Sequence, residues 1–260
     1  MITRFTSAAL LVALTAFTAR AAGPAFDNAA DPVYQPGAGG WTSGDNGGSG
    51  FGAWTFVSQN FIGSSTGNGN SPSGGIDSGG VSFGLFSNTG APGFAQAFRN
   101  FSSGLAIGET FMMDFDNGFV GSGGFVGFSL RNANGNLLFQ YLFVGGGNSY
   151  TIDAGQIQST AHGFTADGMR TAFTLTGANS FSFSIQFNDN QTTEVFTGTL
   201  ANPGGTITNL RLFSSNENQP SAGSDVFYNN MAIVPEPSSL ALMAGPAILG
   251  GWFFVRRRRS

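Results

Sequence analysis

The feature that most constrains this chain is a series of short apolar runs, each bounded by Gly, Asn, Ser or Asp. In the clearest run, Ser180–Phe187, a serine or glutamine alternates with a phenylalanine or isoleucine. Side chains two positions apart share one side of an extended strand, so this run predicts a strand with one buried and one polar face. No stretch between residues 23 and 234 keeps a period of 3.6, which indicates an all-β domain.

The spacing of these runs predicts a β-sandwich or a barrel. Two linkers, Asn132–Asn136 and Asn188–Gln191, are typical of hairpin turns. One face of every strand must be apolar, so the 28 phenylalanines are expected to fill the core. The predicted strands are residues 51–57, 81–86, 94–101, 111–115, 124–131, 137–144, 149–153, 170–176, 181–187, 192–200, 206–213 and 225–233.

Composition excludes several classes of function. The chain has no Cys, which excludes disulfides, thiolate zinc sites and cysteine nucleophiles. Between residues 22 and 234, four arginines and no lysine stand against thirteen Asp and Glu, a balance of −9. An acidic domain without a basic cluster is not expected to bind nucleic acid, whose phosphates require clustered cations. The Gly- and Asn-rich residues 23–52 lead into a strand rather than a helix, which excludes a dinucleotide-binding loop.

The best group of metal ligands in the sequence is Asp114-Phe115-Asp116-Asn117. The two carboxylates stand two positions apart in a predicted strand, so they share a face and can hold Ca²⁺ if a nearby loop completes the oxygen ligands. Two carboxylates alone make a weak site, so we favour the alternative, a solvated strand end that runs into a turn. The same reasoning gives weaker candidates at Asp45, Asn46 and Asp225.

Catalytic patterns are scarce. His162, the one histidine, lies in a predicted loop, and no Gly-x-Ser-x-Gly sequence occurs, so a hydrolase triad is not expected. Glycoside hydrolysis requires two carboxylates that flank the scissile bond. The glutamates Glu109, Glu194 and Glu217 are scattered, and no Glu-x-Asp-x-Glu strand is present. The sequence therefore predicts a non-enzymatic domain.

Both ends of the chain predict export. Residues 1–21 combine Arg4, an apolar run and small residues, which is typical of a signal peptide cleaved after Ala21 with Ala19 at the third position before the cut. Near the other end, the 17 residues Ser239–Val255 carry no charge and would span about 25 Å as a helix, close to the ~30 Å of a bilayer core. They predict a single transmembrane helix. The alternative is a buried core helix with a basic tail that binds anionic partners.

The residues that follow this span predict its orientation. Basic residues that flank a span stay cytoplasmic, so the last four arginines are expected to stop translocation and leave the main domain outside. They are Arg256, Arg257, Arg258 and Arg259.

The order of Pro235-Glu236-Pro237, a short apolar span and a terminal arginine cluster resembles the PEP-CTERM sorting signal of Gram-negative bacteria. The resemblance covers about the last tenth of the chain. It implies that Pro235, Glu236 and Pro237 form the motif read by an exosortase, a membrane cysteine transpeptidase that cleaves near it and releases or re-attaches the passenger. The resulting division is a signal peptide (1–21), a passenger domain (22–233) and a sorting signal (234–260).

Residues 207–233 resemble the closing strands of concanavalin-like, or laminin-G-like, jelly rolls. This resemblance implies an antiparallel β-sandwich, flanked here by a signal helix and a transmembrane helix. We expect a cell-surface or matrix protein, held at the inner membrane before processing, with an exosortase and a polysaccharide as partners. Two alternatives remain open: a glycan-active hydrolase of this fold, and a purely structural matrix protein.

Overall fold

The period-two runs of the sequence form the strands of two antiparallel β-sheets packed face to face. The computed structural model describes residues 25–38, 40–59, 64–67, 75–86, 93–215 and 225–235. In chain order the strands are β1 (Ala25–Asp27), β2 (Phe51–Gln59), β3 (Ser64–Gly67), β4 (Ser82–Leu85), β5 (Phe94–Phe101), β6 (Thr110–Asn117), β7 (Phe125–Arg131), β8 (Leu137–Val144), β9 (Tyr150–Asp153), β10 (Ile157–Ser159), β11 (Met169–Gly177), β12 (Ser180–Phe187), β13 (Thr193–Thr199), β14 (Asn209–Ser215) and β15 (Val226–Val234).

The strands divide between an eight-stranded and a seven-stranded sheet, called here sheet A and sheet B. Sheet A has the order β13-β12-β11-β6-β15-β4-β3, and β1 pairs with β15 beside this path. Sheet B has the order β10-β9-β8-β7-β14-β5-β2. All the pairings are antiparallel, which confirms the predicted antiparallel β-sandwich.

The core between the sheets is aromatic. On β12, Phe181, Phe183, Ile185 and Phe187 are buried, whereas the serines and the glutamine between them are half-buried on the other side. Phe139 of sheet B packs against Phe181 and Phe183 of sheet A with ring centroids 5.2 and 4.8 Å apart. Aromatic pairs at this separation contribute roughly 0.5–1.5 kcal/mol beyond the area that they bury. The alternating run therefore has the one buried face that was predicted, and this face packs against the other sheet.

Not every phenylalanine lies in the core. Phe26, Phe119 and Phe164 are exposed, and Phe94 and Phe98 of β5 are half-buried on the outer face of sheet B. On β5 the inner face carries two alanines, Arg99 and one phenylalanine, Phe101. The expectation that the phenylalanines are core residues was therefore wrong at these positions.

A buried ion pair crosses from one sheet to the other. Arg99 of β5, 1% exposed, bonds the Asp27 carboxylate of β1 through Nη1. Its Nε donates to the Gly52 carbonyl at 2.8 Å, and its Nη2 donates to the Gly47 carbonyl at 2.7 Å. Burial raises the pKa of Asp27, and the positive charge of Arg99 offsets part of that rise. One side chain thus holds β1, β2 and the loop before β2 on β5.

Tyr34 extends this cluster. Its hydroxyl donates to the same Asp27 oxygen at 2.8 Å and accepts from the Trp54 indole at 3.3 Å. The Arg99 guanidinium lies 4.9 Å from the Trp54 ring and 5.0 Å from the Phe51 ring, so it is stacked as well as hydrogen-bonded. Burial is the main cause of the raised pKa of Tyr34, which keeps the hydroxyl protonated and able to donate.

Most strand bounds agree with the sequence. Each predicted run forms a strand, with ends displaced by at most three residues. Three short strands, β1, β3 and β10, and the 3-10 turns at Pro32–Tyr34 and Pro36–Ala38 were not predicted. Three or four residues are too few to show a period, and β1 in particular is defined by its pairing with β15 rather than by its own sequence.

The predicted flanking helices lie outside the described residues, as do Ala19, Ala21, Glu236, Pro237 and Arg256–Arg259. Among the residues that the structure describes, no helix has the length and apolar character needed to cross a membrane. The signal peptide and the transmembrane span therefore stay predictions from sequence.

We expect Arg99→Met to lower the free energy of unfolding by about 3–5 kcal/mol, because it leaves the Asp27 carboxyl buried without its cation. The double variant Asp27→Leu/Arg99→Met should lose clearly less than the sum of the two single variants. Urea denaturation of the four proteins measures this cycle. Arg170→Met is the control, since that arginine is 60% exposed and its ion pair with Asp114 is expected to contribute about 1 kcal/mol or less. Additive losses at Asp27 and Arg99 would contradict the coupling.

Candidate functional site

The predicted calcium ligands lie on β6, on the outer face of sheet A. Asp114 and Asp116 are 6% and 4% exposed, so the solvated strand end that we favoured from the sequence is wrong. The reason is that neighbouring side chains cover them. Asp114 accepts from Arg170 Nε at 3.2 Å and from Asn230 Nδ2 at 2.7 Å. Both oxygens of Asp114 thus already have protein donors.

The neighbouring oxygen ligands are also engaged. The Asn117 amide oxygen accepts from the Tyr150 hydroxyl at 2.9 Å. Across the described ranges, no group of three or more Asp, Glu or His side chains is placed to hold a metal ion. Calcium binding at Asp114 and Asp116 remains a prediction from sequence.

The weaker acidic candidates have local contacts. The Asp45 carboxylate accepts from the Thr42 backbone amide at 2.7 Å and so closes a turn. Asp225 precedes β15, and its carbonyl accepts from the Gly118 amide at 2.9 Å, which places it beside the end of β6. Burial raises the pKa of the Asp225 carboxyl from 3.8 to about 7.

His162 belongs to a loop that carboxylates hold in place. Its ring stacks on Phe187 at 3.9 Å, and its Nδ1 and Nε2 face the Gly163 carbonyl at 2.8 Å and Asp189 Oδ2 at 3.0 Å. The backbone amides of Ala161 and His162 donate to the two oxygens of Glu194. His162 and Glu194 thus organise this loop.

The most distinctive surface is one that the sequence did not indicate, the outer face of sheet B. Its central row runs across the strands through Gln140 (β8), Ser129 (β7), Arg211 (β14) and Phe98 (β5), each directly opposite the next. In the adjacent row, Arg131 of β7 is opposite Asn209 of β14 and so lies diagonally from Arg211. We call the following six residues the arginine face: Phe98, Arg131, Gln140, Asn209, Arg211 and Phe213.

Aromatic rings and amides position the two cations. The Arg211 guanidinium lies 4.3 Å from the Phe213 ring, and its Nη2 donates to Gln140 Oε1 at 3.4 Å. The Arg131 guanidinium lies 5.9 Å from the Phe98 ring. Both guanidinium groups are therefore supported on rings.

Neither cation of the arginine face has a carboxylate partner within the described part of the chain, where Arg99 and Arg170 are the arginines in ion pairs. Burial, and to a lesser extent the nearby charge of Arg131, lowers the pKa of Arg211 to about 10. Burial also lowers the pKa of Arg131. Burial thus dominates both shifts, and the like charge of Arg131 adds to the shift of Arg211.

Several buried polar atoms under this face make no hydrogen bond to any described residue. They are Nε of Arg131, Nε of Arg211 and Oγ of Ser129. Buried polar groups are nearly always hydrogen-bonded in folded proteins. Such exceptions also occur elsewhere among the described residues, at Asp27 Oδ1 and Thr208 Oγ1, but here three of them lie together around two cations that have no described carboxylate partner.

No family model and no curated protein matches the chain. Among solved structures, a sialidase matches with a TM-score of 0.46 and 12% identity over 65% of this chain, which spans only 16% of the sialidase. A glycosyl hydrolase family 16 protein from Mycobacterium smegmatis matches with a TM-score of 0.43 and 15% identity, and the match covers 74% of this chain and 96% of that protein. Arcelin-5, a lectin-like defence protein from Phaseolus vulgaris, matches with a TM-score of 0.40 and 11% identity, and the match covers 70% of this chain and 99% of arcelin-5. At these values the likenesses carry no argument about ligand or activity.

We expect Asp225→Asn to stabilise the protein at pH 8 and to have a much smaller effect at pH 4. With a pKa of about 7 in the folded state against 3.8 otherwise, the folded protein keeps a proton that the unfolded chain releases. The contribution of this carboxyl to stability is thus greatest below about pH 4 and is lost as the pH rises through 7. Thermal melting of both proteins between pH 4 and 8 measures the difference, and a difference that does not change with pH would contradict the assignment.

Proposed function

We propose that this chain is an exported, non-enzymatic carbohydrate-binding protein of the cell surface or extracellular matrix. The observation that carries the proposal is the arginine face, which combines guanidinium groups, amides and aromatic rings on the outside of a rigid sheet. Binding sites placed on strands hold their side chains more rigidly than sites on loops.

These residue types match the surface of a sugar. A pyranose presents hydroxyl groups, which amides and guanidinium groups bind with directed hydrogen bonds, and an apolar C–H face, which packs on an aromatic ring. Gln140 and Asn209 supply the amides, and half-buried Phe98 supplies a ring. The outer face of sheet A differs in its charge. There β12 presents serines and one glutamine, the Phe227 ring of β15 is half-buried, and Arg170 is paired with Asp114.

Export and sorting rest on the two ends of the sequence. Residues 1–21 would direct the chain across the inner membrane. The span at 239–255 and Arg256–Arg259 would hold it there until an exosortase cleaves near Pro235-Glu236-Pro237. The two prolines cannot donate backbone hydrogen bonds and favour an extended conformation, which suits a segment that an enzyme must grip. Pro235 itself is exposed immediately after β15.

Gln140→Ala is expected to weaken polysaccharide binding by about threefold to tenfold, the effect of losing one hydrogen bond. Gln186→Ala is the matched control, because it removes a half-buried glutamine from the outer face of sheet A and should leave binding unchanged. A polysaccharide array probed with the three proteins, with and without Ca²⁺, gives the comparison. Release of reducing ends that Asp114→Asn or Asp116→Asn abolishes would instead indicate a glycoside hydrolase.

Replacing Pro235, Glu236 and Pro237 by alanine is expected to keep the chain at its unprocessed length in the membrane fraction of a Gram-negative host that has an exosortase. The parent chain should instead yield a shorter, released or surface-attached product. Immunoblots of the fractions distinguish the two, with Pro203→Ala in an exposed turn as the control. Normal processing of the triple variant would contradict the role of the motif.

A further inference from the structure

We propose that the arginine face binds the carboxylate groups of an acidic polysaccharide, a polymer that contains uronic acid. This inference rests on the proposed function, since it names the class of glycan that the same surface would take. The two unpaired arginines carry it, together with the unsatisfied polar atoms beneath them.

The distribution of charge favours an anionic ligand. Between residues 22 and 234 the chain has only four arginines, and two of them pair with Asp27 and Asp114. The other two, Arg131 and Arg211, lie diagonally on neighbouring strands, where side chains are about 7–8 Å apart. On the central row the described carboxylate is Asp153, which is opposite Gln140 and three strands from Arg211, or about 14 Å at ~4.8 Å per strand. Asp153 therefore lies on this face but too far away to form an ion pair with Arg211.

The fixed orientation of the Arg211 guanidinium group favours a carboxylate over a small spherical anion. A guanidinium group binds a carboxylate through two parallel hydrogen bonds, provided that its plane is held in place. The Phe213 ring at 4.3 Å and Gln140 Oε1 at 3.4 Å hold Arg211 in this way. Arg131 and Arg211 are half-buried rather than buried, so a carboxylate would reach the exposed part of each guanidinium group, while the Nε atoms beneath are buried and make no hydrogen bond to a described residue.

The surroundings favour a sugar polymer over a dense polyanion. A domain with a balance of −9 repels polyanions in general, so an anionic ligand must be held by directed contacts at the arginine face rather than by charge density alone. Half-buried Phe98 and Asn209, on the same face, offer a ring and an amide for the uncharged part of each sugar. A uronic acid residue has both a carboxylate and an uncharged sugar ring.

The test compares polygalacturonate with its fully methyl-esterified form, which has the same backbone without the charge. The full chain in detergent, with EDTA present to exclude calcium bridging, is titrated with each polymer. We expect at least tenfold tighter binding of the free acid, an advantage that falls as salt is added. Equal binding of the two polymers would overturn the proposal, as would tighter binding of dextran sulfate, which would indicate plain anion exchange.

Two matched substitutions locate the site. Arg211→Gln removes the positive charge from the arginine face and is expected to weaken binding of polygalacturonate by about tenfold or more, the usual effect of losing a charge-assisted hydrogen bond. Arg170→Gln removes the same charge from the outer face of sheet A and should have no effect. Thermal melting checks that both variants are folded. Loss of binding in Arg170→Gln but not in Arg211→Gln would overturn the proposal.

The outcomes also separate this inference from the proposed function. If Gln140→Ala weakens binding of a neutral polysaccharide and the free acid has no advantage, the protein is a carbohydrate-binding protein and the preference for carboxylates is wrong. If no polysaccharide binds at all, both proposals fail together.

Discussion

The fold depends on one buried arginine that joins the two sheets where the chain first enters the sandwich. Arg99 projects inward from β5 and bonds the carboxylate of Asp27 on β1, while the carbonyls of Gly52 and Gly47 accept from its Nε and Nη2. A buried charge costs several kcal/mol unless it is paired and hydrogen-bonded, so removing either partner of this ion pair is strongly destabilising. Through Gly47, the same arginine also holds the segment just before β2, which lacks the alternation that specifies the strands. Where the sequence has no alternation of apolar and polar residues, the contacts of Arg99 hold the chain in place instead.

The surroundings of Arg99 differ from those of Arg211. Arg99 is enclosed by an acid, by carbonyls and by aromatic rings, which is the environment of a structural cation. Arg211 has the ring and an amide but no described acid, and its lowered pKa reflects burial and the nearby Arg131. Folded proteins tolerate such arrangements mainly where a ligand completes them. The same residue type thus marks a structural site on one face of sheet B and a candidate binding site on the other.

Strand pairing explains what the sequence could and could not predict. The alternation of Ser180–Phe187 and the turn Asn132–Asn136 specify their hairpins locally, so β7, β8 and β12 were predicted with ends correct to within one residue. The arginine face was missed because Arg131 and Arg211 become neighbours only through the pairing of β7 with β14. One signal was available: β5 alternates phenylalanine with small residues, and assigning its rings to the core placed Phe98 on the wrong side.

The two ends of the described domain leave from the same sheet. Ala25 of β1 pairs with Ile233 of β15, so the first described residue and the last strand are neighbours in sheet A. The predicted membrane span follows β15 closely, because Val234 ends the strand and Pro235 begins the sorting motif. The arginine face lies on the outer face of the other sheet. A tether that begins beside sheet A would not start from the face proposed to bind a polymer, so the proposed anchoring and the proposed glycan binding are compatible.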